Sequence, residues 1–194
     1  MSSLGRIELN KWLGKININC DRVADIGVER NPNKHNVSSL ECNEYITFDI
    51  EKTPFVDEIL DLNKPYDKFK DYFDVIFCTQ VFEHIYNPVQ GAMTIYNMLR
   101  DKGILYLTSP FIYPHHSESD MLRYTGQGLK TILESVGFKD IEIDETCATN
   151  GKDNLIKFFA SEGMHSPQLR DNYSFPIEYK IKAVKINEYS RRNN

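Results

Sequence analysis

Two nearly uniform apolar runs, alternating with segments of helical periodicity, constrain the fold of this chain most strongly. The runs are DVIFCT at 74–79 and ILYLT at 104–108, and strands of this kind are typical of parallel sheets covered on both faces. Segments 88–100 and 126–136 repeat apolar residues every three or four positions, which predicts amphipathic helices. The alternation predicts an α/β fold with a doubly wound, mostly parallel sheet and helices on both faces.

The remaining strands and the domain limits follow from the same patterns. No internal repeat, low-complexity tract or linker interrupts the 194 residues, so we expect a single domain over 1–194. Its core is expected over 20–145, and segment 146–194 is expected to complete the sheet and is a candidate cap for the substrate site. Runs rich in Val, Ile, Tyr and Phe predict six strands, at 22–26, 45–50, 56–60, 73–79, 103–108 and 140–143.

Charge and cysteine usage narrow the class of partner. The net charge of −5 disfavours a nucleic-acid footprint, which needs clustered Lys and Arg, and favours a small-molecule substrate. No segment approaches the roughly 18 apolar residues of a membrane helix, so we expect no membrane association. The cysteines are widely spaced and form no CxxC pair, which predicts free thiols and a cytoplasmic location; they are Cys20, Cys42, Cys78 and Cys147.

Polar residues follow the first three predicted strands, where a doubly wound sheet binds its ligands. Asp25 and Gly27 lead from VADIG into a polar turn whose N–H groups suit an anionic or polar ligand, although a plain turn explains them equally well. Asp49 ends YITFDI and suits the two hydroxyls of a ribose. The carboxylate of Asp61 could accept a hydrogen bond from the exocyclic amine of an adenine, and the N–H of Leu62 could donate one to a ring nitrogen. The alternative is that these acidic residues form only a solvated face.

The fourth strand is followed by TQVFEHIYNP, in which three side chains reach the predicted ligand edge. Gln80 and His84 are four positions apart and share a helical face. His84 is a candidate proton acceptor, with a structural hydrogen-bonding role as the alternative. Glu83 is interpreted as the start of a helix.

The loop after the fifth strand, LTSPFIYPHHSESDMLRYT, is dense in polar and aromatic residues and is the predicted substrate wall. Adjacent histidines on an extended chain cannot both face one pocket, so we expect no metal site here. A histidine of the pair is a candidate general base oriented by Asp120, or the loop residues only hold the loop together. The residues concerned are Tyr113, His115, His116, Asp120 and Arg123.

The order VADIG, YITFDI, VDEILDL, FDVIFCTQVFEHI, ILYLTSPF, YPHH and GLKTILESVGF resembles class I S-adenosylmethionine-dependent methyltransferases over about residues 20–145. Within that family it is most similar to a small-molecule branch associated with surface-glycan and secondary-metabolite pathways. The resemblance implies a Rossmann-like, seven-stranded methyltransferase fold and S-adenosylmethionine as cofactor. It also implies methyl transfer to an oxygen or nitrogen atom of a small metabolite or sugar. A short chain with little beyond the core suggests a small acceptor or a partner subunit, and a homodimer is a further expected assembly.

The resemblance also assigns expected roles to residues of this chain. His116 and His84 are the expected catalytic residues, and Tyr113, His115, Asp120 and Arg123 the expected substrate-binding residues. The family's usual antiparallel closing strand is expected within IEYKIKAVKI, with its lysines in solvent, and a basic binding patch is the alternative. The cofactor-binding residues that it implies are Asp25, Gly27, Asp49, Ile50, Asp61, Leu62 and Gln80.

Two other classes of function compete with methyl transfer. A noncatalytic binding or partner protein of this fold is motivated by the first loop, where Glu29 and Asn31 stand in place of the family's further glycines. A nicotinamide-dependent oxidoreductase is the other alternative, because Asp49 could bind the ribose of its cofactor as well. The chain lacks the full glycine fingerprint of that class, however, and has no Tyr-x-x-x-Lys pair after strand four or five.

We expect His116→Ala to lower turnover far more than cofactor affinity, because a base acts on the acceptor and not on the cofactor. Steady-state kinetics and calorimetric titration of the cofactor measure the two effects separately. Unchanged turnover would place the base elsewhere.

Overall fold

The computed structural model describes residues 4–28, 32–113, 115, 117–147 and 176–187. Two short 3₁₀ helices, Asn33–His35 and Phe82–His84, accompany the main elements. The main elements are α1 (Leu4–Leu13), β1 (Asn17–Ile26), β2 (Ser39–Asp49), β3 (Glu58–Ile59), β4 (Phe73–Thr79), α2 (Pro88–Met98), β5 (Leu99–Pro110), α3 (Gly126–Val136), β6 (Phe138–Cys147) and β7 (Pro176–Lys185).

The seven strands form one sheet in the order β3-β2-β1-β4-β5-β7-β6. The pairs from β3 through β5 are parallel, whereas β7 runs antiparallel to both β5 and β6. The doubly wound, mostly parallel sheet predicted from the sequence is therefore confirmed, as is its seven-stranded form.

Helices cover both faces of this sheet, as predicted. On one face, Ile95 of α2 and Leu133 of α3 are fully buried in the same cluster as Ile76 of β4. On the opposite face, Leu13 of α1 is fully buried with Phe77 of β4. Consecutive β4 residues thus point into two different cores, which explains why this strand is apolar throughout.

The two predicted helices form where the sequence supplies their caps. Thr125 precedes α3, and its side chain accepts a hydrogen bond from the Gly128 N–H at 3.0 Å. Gly137 ends α3 with φ +113°, a conformation that favours glycine. The bounds of α3 match the prediction, but α2 ends at Met98 and not at residue 100, because Leu99 is extended and begins β5.

The prediction that the lysines of the closing strand face solvent is wrong. Lys180 and Lys185 are only 4% and 3% exposed, because Lys180 pairs with the buried Glu178 and Lys185 packs against the end of the sheet, whereas Lys182 on the same strand is half-exposed. The Lys185 ammonium donates to Asp71 Oδ1 at 2.6 Å and to the Leu99 carbonyl oxygen at 2.7 Å. It also lies 4.7 Å from the centre of the Tyr96 ring. These contacts lock the end of β7 onto the rest of the molecule.

Three further findings concern elements outside the predicted core and the helices as a set. The helix α1 was not predicted, since the sequence analysis assigned no element before residue 20. The candidate cap in 146–194 lies largely outside the described residues, which resume at 176. Among the described helices, none has the length and apolar character needed to cross a bilayer.

Lys185→Met is expected to lower the free energy of unfolding by about 1–3 kcal/mol, because the buried Leu99 carbonyl loses a donor. The matched control Lys182→Met removes a half-exposed ion pair with Glu142 on the same strand, which is worth less than about 1 kcal/mol. Urea unfolding of both variants measures the difference. Equal losses would contradict a special role for Lys185.

Candidate active site

Two adjoining cavities lie at the carboxyl ends of the parallel strands, where this topology binds ligands. The first, of about 320 Å³, is called the strand-end cavity. The second, of about 450 Å³, is called the loop cavity. Both volumes fall within the roughly 300–1,000 Å³ of typical ligand sites. The residues common to both are Gly27, Gln80, His84 and Ser119.

The strand-end cavity brings together six of the seven residues predicted to bind the cofactor. Asp49 lies at the end of β2, and its Oδ1 accepts a hydrogen bond from the Glu51 N–H at 3.3 Å. The parallel pairing of β2 with β3 sets Asp61 on the same edge of the sheet. The six residues are Gly27, Asp49, Ile50, Asp61, Leu62 and Gln80.

Asp61 is fixed by its neighbours in the turn after β3. Its Oδ2 lies 2.9 Å from Lys64 Nζ, and its Oδ1 accepts from the Asn63 N–H at 3.0 Å. The bond from Lys64 and those from Asn63 lower the pKa of the Asp61 carboxyl. Asp61 therefore stays ionised and acts as a hydrogen-bond acceptor at the edge of the cavity.

Gly27 is the point where β1 turns away from the sheet. Its φ of +81° is in the left-handed region that favours glycine. A Cβ at this position would lie 2.2 Å from Cγ2 of Val81, which lines the strand-end cavity. A side chain at residue 27 would therefore displace Val81 at a position that lines both cavities.

Asp25 does not belong to the described lining of either cavity. It is fully buried and accepts hydrogen bonds from the Asn33 N–H at 2.6 Å, from Asn33 Nδ2 at 2.7 Å and from the Tyr45 hydroxyl at 2.5 Å. Burial raises the pKa of the Asp25 carboxyl to about 6, against the lowering effect of these donors. Asp25 anchors the chain that returns to the sheet after Gly27.

Gln80 is the first residue after β4 and adopts φ +57°, an uncommon conformation for a residue with a side chain. Its N–H donates to the Thr108 carbonyl at 3.0 Å. Its side-chain Nε2 donates to Thr108 Oγ1 at 3.0 Å and to Glu178 Oε2 at 3.4 Å. Gln80 thus connects the ends of β4, β5 and β7 at the boundary between the cavities.

The loop cavity is walled by several elements that the strand-end cavity lacks. Arg6 and Leu9 come from α1, and Glu178 comes from β7. None of these was predicted as a site residue, because each belongs to an element remote in sequence from the predicted core. Tyr113 also lines this cavity, in agreement with its expected place in the substrate wall.

His84 ends the 3₁₀ turn after β4 and faces both cavities. Its Nδ1 lies 3.0 Å from the Ser119 carbonyl oxygen and 3.2 Å from Ser119 Oγ. A carbonyl only accepts, so the bond to it requires the proton on Nδ1. The lone pair is then on Nε2, which lies 3.9 Å from Glu83 Oε1.

Glu83 was placed at the ligand edge by the sequence analysis but was not named as a site residue, because it could simply begin a helix. It lines the loop cavity and is 1% exposed. No described residue forms a hydrogen bond with its Oε2. Burial, reinforced by the Asp120 carboxylate, raises the pKa of Glu83 from 4.5 to about 7.

The loop after β5 is braced by its own residues. Both carboxylate oxygens of Asp120 accept from the Arg123 guanidinium, one of them at 2.7 Å, and Arg123 also donates to the Tyr113 carbonyl at 3.3 Å. Neither Asp120 nor Arg123 is among the described residues that line a cavity. His115 is exposed and also outside both linings, and His116 lies outside the described residues.

The Glu83→Gln variant tests the raised pKa of Glu83. Between pH 4.5 and 7 the folded protein binds the Glu83 proton more tightly than the unfolded chain does, so this group makes the protein less stable as pH rises. The stability of the variant relative to the unmutated protein should therefore increase across this window and stay constant above it. Asp25 contributes equally to both proteins. Parallel pH profiles in urea unfolding would refute the assignment.

Curated relatives share sequence with part of this chain. Two tRNA U34 carboxymethyltransferases of Helicobacter pylori, from strains HPAG1 and J99, are 28% and 27% identical over 159 residues. The matches cover 71% of this chain and 60% of each relative. The chain therefore spans about three fifths of the length of these relatives.

Solved structures share the fold. A methyltransferase from Archaeoglobus fulgidus, described as dependent on S-adenosylmethionine, has a TM-score of 0.65 at 19% identity, covering 94% of this chain and 93% of that one. A phosphoethanolamine N-methyltransferase of Haemonchus contortus has a TM-score of 0.60 at 16% identity, covering 94% and 52%.

The family assignment comes from the sequence itself. A family model described as a methyltransferase domain matches residues 20–143, well over half of the chain. This segment contains most of β1, all of β2 to β5 and every residue that lines the strand-end cavity. The chain therefore belongs to the methyltransferase-domain family, the class I S-adenosylmethionine-dependent group that its motif order resembles.

Proposed function

We propose that this chain transfers a methyl group from S-adenosylmethionine to an oxygen or nitrogen atom of a small metabolite or sugar. The observation that carries the proposal is the pair of adjoining cavities at the strand ends. The strand-end cavity contains the acidic residues expected to bind a nucleoside, and the loop cavity contains titratable residues that could exchange a proton with the methyl acceptor. Because the cavities share Gly27 and Gln80, a donor in one lies beside an acceptor in the other.

The residues of the strand-end cavity fit the cofactor. Asp49 would hold the ribose hydroxyls, and Asp61 with the Leu62 N–H would hold the adenine edge. Ile50 and Leu62 supply apolar walls, and Gly27 lines both cavities without a side chain. When bound, the cofactor supplies an activated methyl group on a positively charged sulfur.

The residues of the loop cavity would position the acceptor and manage its proton. For a hydroxyl acceptor, Nε2 of His84 would take the proton, since Nδ1 is engaged by Ser119. His116 remains the second proposed proton acceptor. Tyr113 and His115 are proposed to contact the acceptor directly, and Asp120 and Arg123 to hold the loop that presents them.

A small acceptor is favoured over a polyanion. The curated relatives are tRNA carboxymethyltransferases by name, but this chain carries a net charge of −5, and Glu83 and Glu178 line the loop cavity. The overall negative charge opposes binding of a phosphate backbone, which is bound through clustered Lys and Arg. The predicted location of the protein is still the cytoplasm. We propose that it acts as a homodimer or with a partner subunit.

Asp49→Asn is expected to weaken binding of S-adenosylhomocysteine at least tenfold, because the neutral amide loses a charge-assisted hydrogen bond worth about 1.5–3 kcal/mol. The matched control is Glu51→Gln, which removes one negative charge from an exposed neighbour outside both linings. Calorimetric titration of both variants measures the effect. Equal affinities in the two variants would refute the proposed role of Asp49.

A further inference from the structure

The loop cavity contains two carboxylates that are almost completely buried. Glu83 and Glu178 are 1% and 3% exposed, and both line this cavity. A buried carboxylate is costly unless it is paired, because the protein interior solvates charge poorly. The way in which each acid is compensated therefore indicates what the cavity binds.

Glu178 is compensated by the chain itself. The Lys180 ammonium, only 4% exposed, lies 3.4 Å from Glu178 Oε1. The Gln80 side chain donates to Glu178 Oε2 at 3.4 Å. Glu178 therefore forms part of the framework of the cavity wall.

Glu178 Oε1 also has no hydrogen-bond partner among the described residues, but it is ion-paired with Lys180. Glu83 differs, because its Oε2 has neither a hydrogen-bond partner nor an ion pair among those residues. The charged groups that act on its pKa are Asp120 and Arg123, which neutralise each other through two hydrogen bonds. His84 Nε2 lies 3.9 Å from the other oxygen, Oε1, beyond hydrogen-bonding distance. One oxygen of a buried acid that lines the cavity thus lacks a donor.

The other titratable groups around Glu83 do not supply that donor. Tyr124 lies close to Glu83, but its hydroxyl donates to the Phe82 carbonyl at 3.3 Å. Cys78 is fully buried in the hydrophobic core and does not line the cavity. Arg6 also lines the cavity but is exposed, so water and salt screen its charge.

We propose that the acceptor is a small primary or secondary amine whose nitrogen binds Glu83. This inference rests on the proposed methyl transfer and narrows its acceptor from oxygen or nitrogen to nitrogen. An ammonium group supplies both the hydrogen-bond donor and the positive charge that Glu83 lacks. A neutral hydroxyl supplies only the donor, and a phosphate or carboxylate supplies neither.

The assignment also gives Glu83 a role in the proton balance of the step. The acceptor arrives as an ammonium ion, and one proton passes to Glu83 to free the nitrogen lone pair. That lone pair forms the new N–C bond, while the C–S bond of the bound sulfonium breaks and sulfur keeps its electron pair. The methylated product is again an ammonium ion, so the positive charge moves from sulfur to nitrogen.

The test uses butylamine and 1-butanol, which match in size but differ in charge. Each is titrated into isotopically labelled full-length protein saturated with S-adenosylhomocysteine, and the amide signals of Glu83, His84 and Ser119 are followed by NMR. Butylamine should bind at least tenfold more tightly than 1-butanol, as expected for a charge-assisted hydrogen bond. Glu83→Gln should abolish this preference, and the exposed loop variant Glu118→Gln should keep it.

A pH series adds a second readout. Butylamine stays protonated below about pH 9, since alkylammonium groups titrate near pH 10. Its affinity should rise with pH up to about 7, where Glu83 becomes ionised, and then level off. In Glu83→Gln this dependence should disappear.

The outcomes separate this inference from the proposed function. If S-adenosylhomocysteine itself fails to bind, the proposed methyl transfer is refuted, and the amine acceptor is refuted as well. If it binds but butylamine and 1-butanol bind equally, or butyrate binds more tightly than butylamine, the amine acceptor is refuted and methyl transfer stands. Transfer of a labelled methyl group to alcohols or to tRNA, but to no member of an amine panel, would refute it as well.

Discussion

The reversal of strand order between β1 and β4 is the constraint on which both cavities depend. These central strands pair in parallel from Val23 with Val75 to Ile26 with Cys78. Beyond them the chain leaves in opposite directions, from β1 towards β2 and from β4 towards β5. A crevice opens where the two connections diverge. Gly27 and Gln80 are the first residues past the two strands, and both have positive φ, so the chain turns away without filling the crevice.

The sequence predicts the elements whose signals are local. Strand β4 and helix α3 are predicted residue for residue, because the first is buried on both faces and the second has Thr125 and Gly137 as caps. The errors concern features set by distant neighbours. Solvent-facing lysines in β7 are the reasonable expectation for an edge strand, but β7 lies between two other strands, and Lys185 is buried against Leu99 and Tyr96.

The same distinction holds at the candidate site. The order of motifs identifies the strand ends, so Asp49 and Asp61 are found together in one cavity as predicted. Asp25 has the right sequence position but is buried among Asn33 and Tyr45, and no local pattern reports that burial. Glu83 was not named as a site residue for the same reason, because its lack of a partner depends on what α1, β7 and the loop after β5 place around it.

The position of β7 also affects how the site is made during synthesis. Glu178 lies on β7, which enters the sheet between β5 and β6, both of which precede it in the chain. Until residues 176–185 leave the ribosome, β5 and β6 each present an open edge and the loop cavity lacks one wall. Open edges pair readily with other chains. A nascent chain at this stage therefore lacks one wall of the loop cavity and has unpaired strand edges that are open to pairing with other chains.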